Sequence, residues 1–412
     1  MSPHQGAGTE RPKTCRRLRA WALDPNEATP PEFYYTLAYC LKHQGDGAQV
    51  PEYLKKARAA AGNVDRFPYR VESEAPLAEA LQANPKDAVA RFNLACLLYH
   101  REQPAEAIRQ WEAAVEANPS DFSSRRALGL AYAEQGQPVE KAAAQLERAV
   151  ELNPAHLRTL NDLSSMYAQA GRFDEQLVAL TKALERAPGD DNLAEGVLTA
   201  SLVRGRYEEA ARLVAAHPFA PRHRTYGLRD KYRFMRYGMG AAAFRKGEYA
   251  AALKLFESAL QPPVSLGVDD FQGQSAPRAQ YYIGRALEAL GKTAEARQAY
   301  AKSAEGAGQL SGDRDSLNSE NFHMALALEK LGRPQEAAKL LKRLGEFAKT
   351  EMDSRAPNRR AEARYLLGLV WKHEGRREEA RKLIEEAVRI QPDLLAPRFE
   401  LRGDSLDPLS AR

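Results

Sequence analysis

The 412-residue sequence predicts an all-α fold, a right-handed α-solenoid of stacked helix-turn-helix units, and three observations carry that prediction. Prolines close successive segments at a nearly fixed interval, glycines fall midway between them, and apolar residues recur at three- and four-residue steps inside each segment. The dipeptides Asn84-Pro85, Asn118-Pro119, Asn153-Pro154 and Ala187-Pro188 end four segments, with their prolines 34, 35 and 34 residues apart. The glycines are Gly136, Gly171, Gly205, Gly247, Gly291, Gly332 and Gly375, at intervals of 35, 34, 42, 44, 41 and 43. The period is therefore near 34 in the first half and above 40 in the second.

Each unit reads as two amphipathic helices with a turn between them. The first helix carries a large apolar residue followed at once by a small one: Leu94-Ala95, Leu128-Gly129, Leu163-Ser164, Met239-Gly240, Ile283-Gly284, Met324-Ala325 and Leu367-Gly368. The second helix carries an alanine (Ala107, Ala142, Ala210, Ala252, Ala296, Ala337, Ala380) and, four residues on, a bulky group (Trp111, Leu146, Val214, Phe256, Tyr300, Leu341, Ile384). The third unit departs once, with Gln176 in the alanine position. Helices that approach to 8–10 Å need small side chains at the contact and bulky ones in the grooves beside it. The midway glycines suit the left-handed turn just past a helix end. No single pair covers its own apolar face, so pairs must stack. These are the residues that define tetratricopeptide repeats, and the sequence resembles that family along most of its length.

The organisation follows from the spacing. Residues 1–72 read as degenerate repeats, 73–217 as a regular array, 218–232 as a basic-aromatic break, 233–392 as an array with longer inter-repeat loops at 262–276, 305–316 and 350–359, and 393–412 as a tail. Leu18 to Asp24-Pro25 looks like a second helix without its first, so the chain reads as beginning in mid-repeat, either truncated or the C-terminal half of something longer. The layout, with its NPKDA junction at 84–88, four short repeats, the HPF break at 217–219 and a loop before QYYIGRALEALG, resembles the C-terminal half of large bacterial proteins whose N-terminal half is a mutarotase-like β-supersandwich. That resemblance implies a bacterial origin and partnership with a carbohydrate-type domain, in cis or in a longer protein, and no catalytic motif.

Several chemistries find no support. No apolar run approaches the roughly 20 residues of a membrane span, and residues 1–19 lack the apolar core of a secretory signal, which points to the cytoplasm. Cys15, Cys40 and Cys96 are scattered and read as unpaired thiols. The eight histidines form no metal-binding motif, there is no GxSxG elbow, and neither a metal nor another cofactor is expected. GRALEALGKT (284–293) has six residues between its glycines where a phosphate loop has four, and both glycines are already claimed by the repeat. Arg402-Gly403-Asp404 looks like an adhesion tripeptide by chance. The chain is expected to be no enzyme.

Binding is the remaining class. First helices line the concave face of a solenoid, and their outward positions are Phe92, Tyr99, Arg126, Arg158, Asn161, Tyr237, Tyr281, Arg285, Phe322 and Tyr365. Arginine forks and asparagine amides suit a peptide backbone or carboxylate, and aromatics suit apolar anchors. Arg126 and Asn161 resemble part of the two-carboxylate clamp of chaperone-binding relatives, without the full set. The competing reading packs all of these residues against an upstream domain or a neighbouring helix. The formal charge of +5 is local. Residues 11–19 hold five basic groups and no acid; Arg222, Arg224, Arg229, Lys231, Arg233 and Arg236 stand against Asp230 alone; the rest is mildly acidic. Tyr226, Tyr232, Phe234 and Tyr237 interleave the second cluster, a pattern compatible with single-stranded nucleic acid, though an intramolecularly paired segment accounts for it more simply.

Overall fold

The computed structural model describes residues 29–60, 71–220, 226–268, 276–307 and 317–406, and among them there are twenty α-helices and no strand. The chain divides into two compact units, residues 1–166 and 167–412. The expected helix at 18–23, the basic cluster at 11–19, and Arg222 and Arg224 lie outside the described residues.

In the first unit, α1 (Pro31–His43) pairs with α2 (Val50–Ala59), α3 (Glu74–Ala83) stands alone, and α4 (Ala88–His100) pairs with α5 (Pro104–Ala117) and α6 (Phe122–Glu134) with α7 (Val139–Leu152). The unit ends within α8 (Leu157–Gln169). α3 packs between α1 and α4. Each Asn-Pro junction starts the next helix by the same means. The second residue after the proline turns its side chain back on the new first turn: Asp87 accepts from the Ala90 amide at 3.1 Å, and Asp121 from the Ser124 amide at 3.1 Å. These bonds satisfy amides that the helix cannot. At the third junction His156 takes the part, its Nδ1 3.2 Å from the Thr159 amide. Asp87 also accepts from the buried Tyr35 hydroxyl at 2.8 Å, which ties α1 to the start of the regular array. Six residues after their prolines, Arg91 and Arg125 donate back to the carbonyls of Pro85 and Pro119 at 2.9 and 2.8 Å, so the closing turn is clamped from both sides.

The second unit contains α9 (Phe173–Arg186), then the pairs α10 (Asp191–Val203) with α11 (Tyr207–Ala216), α12 (Tyr226–Arg245) with α13 (Tyr249–Ser258), α14 (Pro277–Ala289) with α15 (Thr293–Ser303), α16 (Ser319–Lys330) with α17 (Pro334–Glu351), α18 (Pro357–His373) with α19 (Arg377–Ile390), and the short α20 (Leu395–Leu401). α12 begins at Tyr226, so the second half of the expected break is helix. The lengthened period has two sources. One is the connections between pairs; the other is that α12, α17 and α18 run to 20, 18 and 17 residues, against 13 or 14 in the pairs α4–α7.

The small-against-bulky pattern is the packing rule throughout. A methyl added at Gly129 would lie 2.8 Å from Leu146, at Gly240 2.3 Å from the Phe256 ring, at Gly284 2.4 Å from the Tyr300 ring, and at Gly368 2.7 Å from Ile384. The seven midway glycines all take φ between +65° and +83°. In the α4–α5 turn that position is Glu102, at φ +59°.

Candidate functional site

In the first unit the first helices α4 and α6 enclose a 290 Å³ pocket, with Phe92, Cys96 and Tyr99 on one side, Arg126, Leu130 and Glu134 on the other, and Trp111 of α5 contributing to its lining. The Tyr99 and Trp111 rings lie 5.4 Å apart. The Tyr99 hydroxyl donates to Glu134, and burial together with that carboxylate pushes its pKa up to about 12. Trp111 is buried. The Cys96 thiol is free and pushed well up by burial, which makes it an apolar lining group and not a nucleophile. Cys40, expected as an unpaired thiol, is disulfide-bonded instead.

Arg126 is buried and committed to its own fold. Its Nε and Nη2 sit 2.9 and 2.8 Å from Asp162 Oδ2 on α8. Beyond that pair, Arg158 and Asn161 are exposed on α8. So the five predicted residues of this unit fall on consecutive first helices. Phe92 and Tyr99 line the pocket, Arg126 forms its wall, and Arg158 and Asn161 stand on the next helix. Sequence reasoning passed over Asp162, Glu134 and Leu130. Each lies three or four residues from a predicted site residue or across the groove from one, a relation visible only after the helices are paired.

In the second unit the predicted aromatics, expected on an open face, are buried, as Phe92 is in the first at 1% exposed. Tyr237, Tyr281, Phe322 and Tyr365 are 2%, 3%, 4% and 2% exposed. They belong to one continuous core that runs from Ala194 to Leu406. Arg285 is half-buried and donates to the Tyr281 hydroxyl at 3.1 Å. At the centre lies Arg278, 1% exposed, with Glu320 Oε1 3.2 Å from its Nε and the Phe234 ring 5.0 Å from its guanidinium. Tyr237, Tyr282, Tyr365 and the buried His323 surround it, and burial with the Arg278 and Lys372 charges holds His323 well below the ordinary histidine range. The described basic groups of 226–236 are engaged internally: Lys231 with Glu195 at 2.5 Å, Arg233 with Asp230 at 3.6 Å, Arg236 with the Tyr232 hydroxyl at 3.0 Å, while Arg229 is buried. Tyr232 is buried as well.

Among the described residues no three His, Cys, Asp or Glu side chains converge as metal ligands, and no helix is long and apolar enough to cross a membrane. Stacked helix pairs with a small-residue seam and a lined concave face define a helical-repeat protein of the interaction-scaffold class. A profile of the tetratricopeptide repeat matches residues 72–122, 92–140, 126–191, 237–311 and 322–394, together more than half of the chain. The chain belongs to the tetratricopeptide repeat family. No curated protein matches it. Solved structures similar to parts of it include a tetratricopeptide repeat protein from Parabacteroides merdae (16% identity, 74% of this chain and 98% of that one, TM-score 0.33). Two others are YrrB, described as having an unusual peptide-binding site (14%, 65% and 97%, TM-score 0.30), and the Naa15/Naa10 complex bound to HypK-THB (14%, 96% and 61%, TM-score 0.42).

Proposed function

We propose that this chain is a non-catalytic scaffold that binds a protein or peptide along the first-helix face of its first unit. The observation that carries the reading is the 290 Å³ pocket between α4 and α6, with Arg158 and Asn161 exposed on the next first helix, α8. An apolar cavity with a few convergent polar groups is how a repeat groove takes an anchor side chain. Phe92, Tyr99 and Leu130 supply the apolar walls for a Leu-, Met- or Phe-sized group. Arg158 and Asn161 supply donors and an acceptor to the flanking peptide backbone.

The test is selection of a random peptide library on the whole chain, followed by Kd measurement on the winners. Selected peptides are expected to share one large apolar residue. Tyr99→Ala, Leu130→Asp and Asn161→Ala should each weaken binding, the charged substitution most, by about tenfold or more for loss of a central anchor contact. Unchanged affinity in all three variants would overturn the assignment.

A further inference from the structure

The first helices of the second unit touch in succession, α10 to α12, α12 to α14, α14 to α16 and α16 to α18, and α20 then returns to contact α10 and α12. The inner face of this unit is closed by the chain's own last helix. Phe399 is buried and meets the Phe234 ring edge-on at 5.8 Å, and buried Glu400 accepts from Lys372 at 2.8 Å. Past α20 the contacts become polar. Arg402 donates through Nη2 to the Tyr207 hydroxyl at 2.8 Å and the Leu202 carbonyl at 3.3 Å, through Nη1 to the Val203 carbonyl, and through Nε to Asp404 at 2.7 Å. Asp404 accepts from the same Tyr207 hydroxyl at 2.6 Å, and Arg245 donates to the Gly403 carbonyl at 3.0 Å.

We infer that residues 395–406 are an intramolecular latch, in which Arg402-Gly403-Asp404 occupies a recognition seat at the α10–α11 turn and holds the second unit closed. Three features make it a seat. Leu202 and Val203 are the last residues of α10, where the helix dipole favours a cation and the Leu202 carbonyl, already accepting from the Gly205 amide of the turn at 3.0 Å, points out of the helix end. Gly205 lies in the left-handed turn directly beneath the guanidinium, and a methyl there would come within 3.1 Å of Arg402 Nε. Tyr207 is held flat in place because its ring covers the bare backbone of Gly238, where an added methyl would meet the ring at 2.2 Å. The seat thus reads an arginine and an acid two residues apart, the tripeptide that in sequence looked like an adhesion motif by chance. It is releasable because its ionic pair is at the rim, Arg402 and Asp404 being 28% and 17% exposed, whereas Phe399 is core. Opening it frees the face of α10 and α12 that carries Tyr207, Phe234 and Arg245. This inference concerns the second unit and is independent of the binding face proposed in the first.

Hydrogen–deuterium exchange on the whole chain tests it, comparing wild type with Arg402→Ala, Tyr207→Phe and, as a control, Arg381→Ala, whose exposed pair with Glu385 lies on α19. Exchange in 199–207, 226–245 and 395–406 should rise about tenfold or more in the first two variants, with 88–152 unchanged and the control silent. Wild-type exchange in both latch variants overturns the inference. If Arg402→Ala loses helicity throughout, Tyr207→Phe decides: local opening upholds the latch, and either native exchange or loss of helicity there overturns it.

Discussion

The two units are built from the same helix-pair rule and differ in what they do with their first-helix face. In the first, units of 34 or 35 residues leave a pocket walled by Phe92, Tyr99 and Leu130 beside exposed polar groups. In the second, longer helices and connections bring the corresponding faces together around Arg278, and α20 closes them. Position within the first helix sets exposure in both: Tyr281 lies three residues before the small seam residue Gly284, as Phe92 lies three before Ala95, and both are buried, whereas Tyr99 lies four residues after Ala95 and is half-buried. The lesson is that burial of a first-helix residue follows its place relative to the small seam residue in both units. The aromatic core of the second unit surrounds a polar centre that is satisfied only in part: Arg278 Nε lies 3.2 Å from Glu320, while Arg278 Nη2 and His323 Nδ1 find no hydrogen-bond partner among the described residues.

The largest expected effect breaks the closed interior. Arg278→Ala removes a buried guanidinium, leaves Glu320 facing it without a countercharge and opens a cavity among Tyr237, Tyr282 and Tyr365. The loss should be about 3–5 kcal/mol in the second unit, read as a fall in urea midpoint and as faster exchange across α12 to α18. A retained midpoint would mean that the interior does not depend on its charged centre. Arg278→Met, which restores apolar volume, should recover part of the loss.

Acid should sharpen the same contrast. His323 is buried in the neutral form and its folded pKa lies below the unfolded value near 6.5. The unfolded chain therefore binds a proton that the folded chain excludes. Stability of the second unit should fall as pH drops below about 6.5, by up to about 1.4 kcal/mol per pH unit from this group. His323→Gln should flatten that slope between pH 6.5 and 5. Thermal melts across the range measure it, and a slope that the substitution leaves unchanged removes His323 as its source.

The smallest effect belongs to the first unit. Glu102 stands at φ +59° where the other turns carry glycine. Glu102→Gly should stabilise the α4–α5 turn by about 0.5–1 kcal/mol, because relief of the left-handed strain exceeds the added chain entropy. A lower melting temperature would contradict that balance.

Much of the fold was legible because it is local and repeated. The proline interval, the midway glycines and the large-small pairs each report one contact, and each reappears at the expected place: Gly129 on Leu146, Gly284 on Tyr300, Gly368 on Ile384. The candidate site was legible only in part. Phe92, Tyr99, Arg126, Arg158 and Asn161 were identified from helix periodicity, but Asp162 and Glu134 emerge as partners only across the α6–α8 and α4–α6 seams. The burial of Tyr237, Tyr281, Phe322 and Tyr365, and of Phe92 at the same place in its helix, was not read from the chain, because the helices that cover that place are known only once the pairs are stacked. Arg402-Gly403-Asp404 escaped for a related reason. Its partners at 202–207 and 245 lie some 160 to 200 residues away, and no periodic signal links them.

The amino-acid sequence by itself determined the helix pairs, their turns and the seam on which they stack, because those depend on steric fits between residues less than one repeat apart. Tertiary structure alone decided which first-helix face stays lined and accessible, which becomes core, and where the last helix returns. Those outcomes depend on small per-repeat rotations that add along the array, and a difference of a few residues in helix length is enough to change their sum.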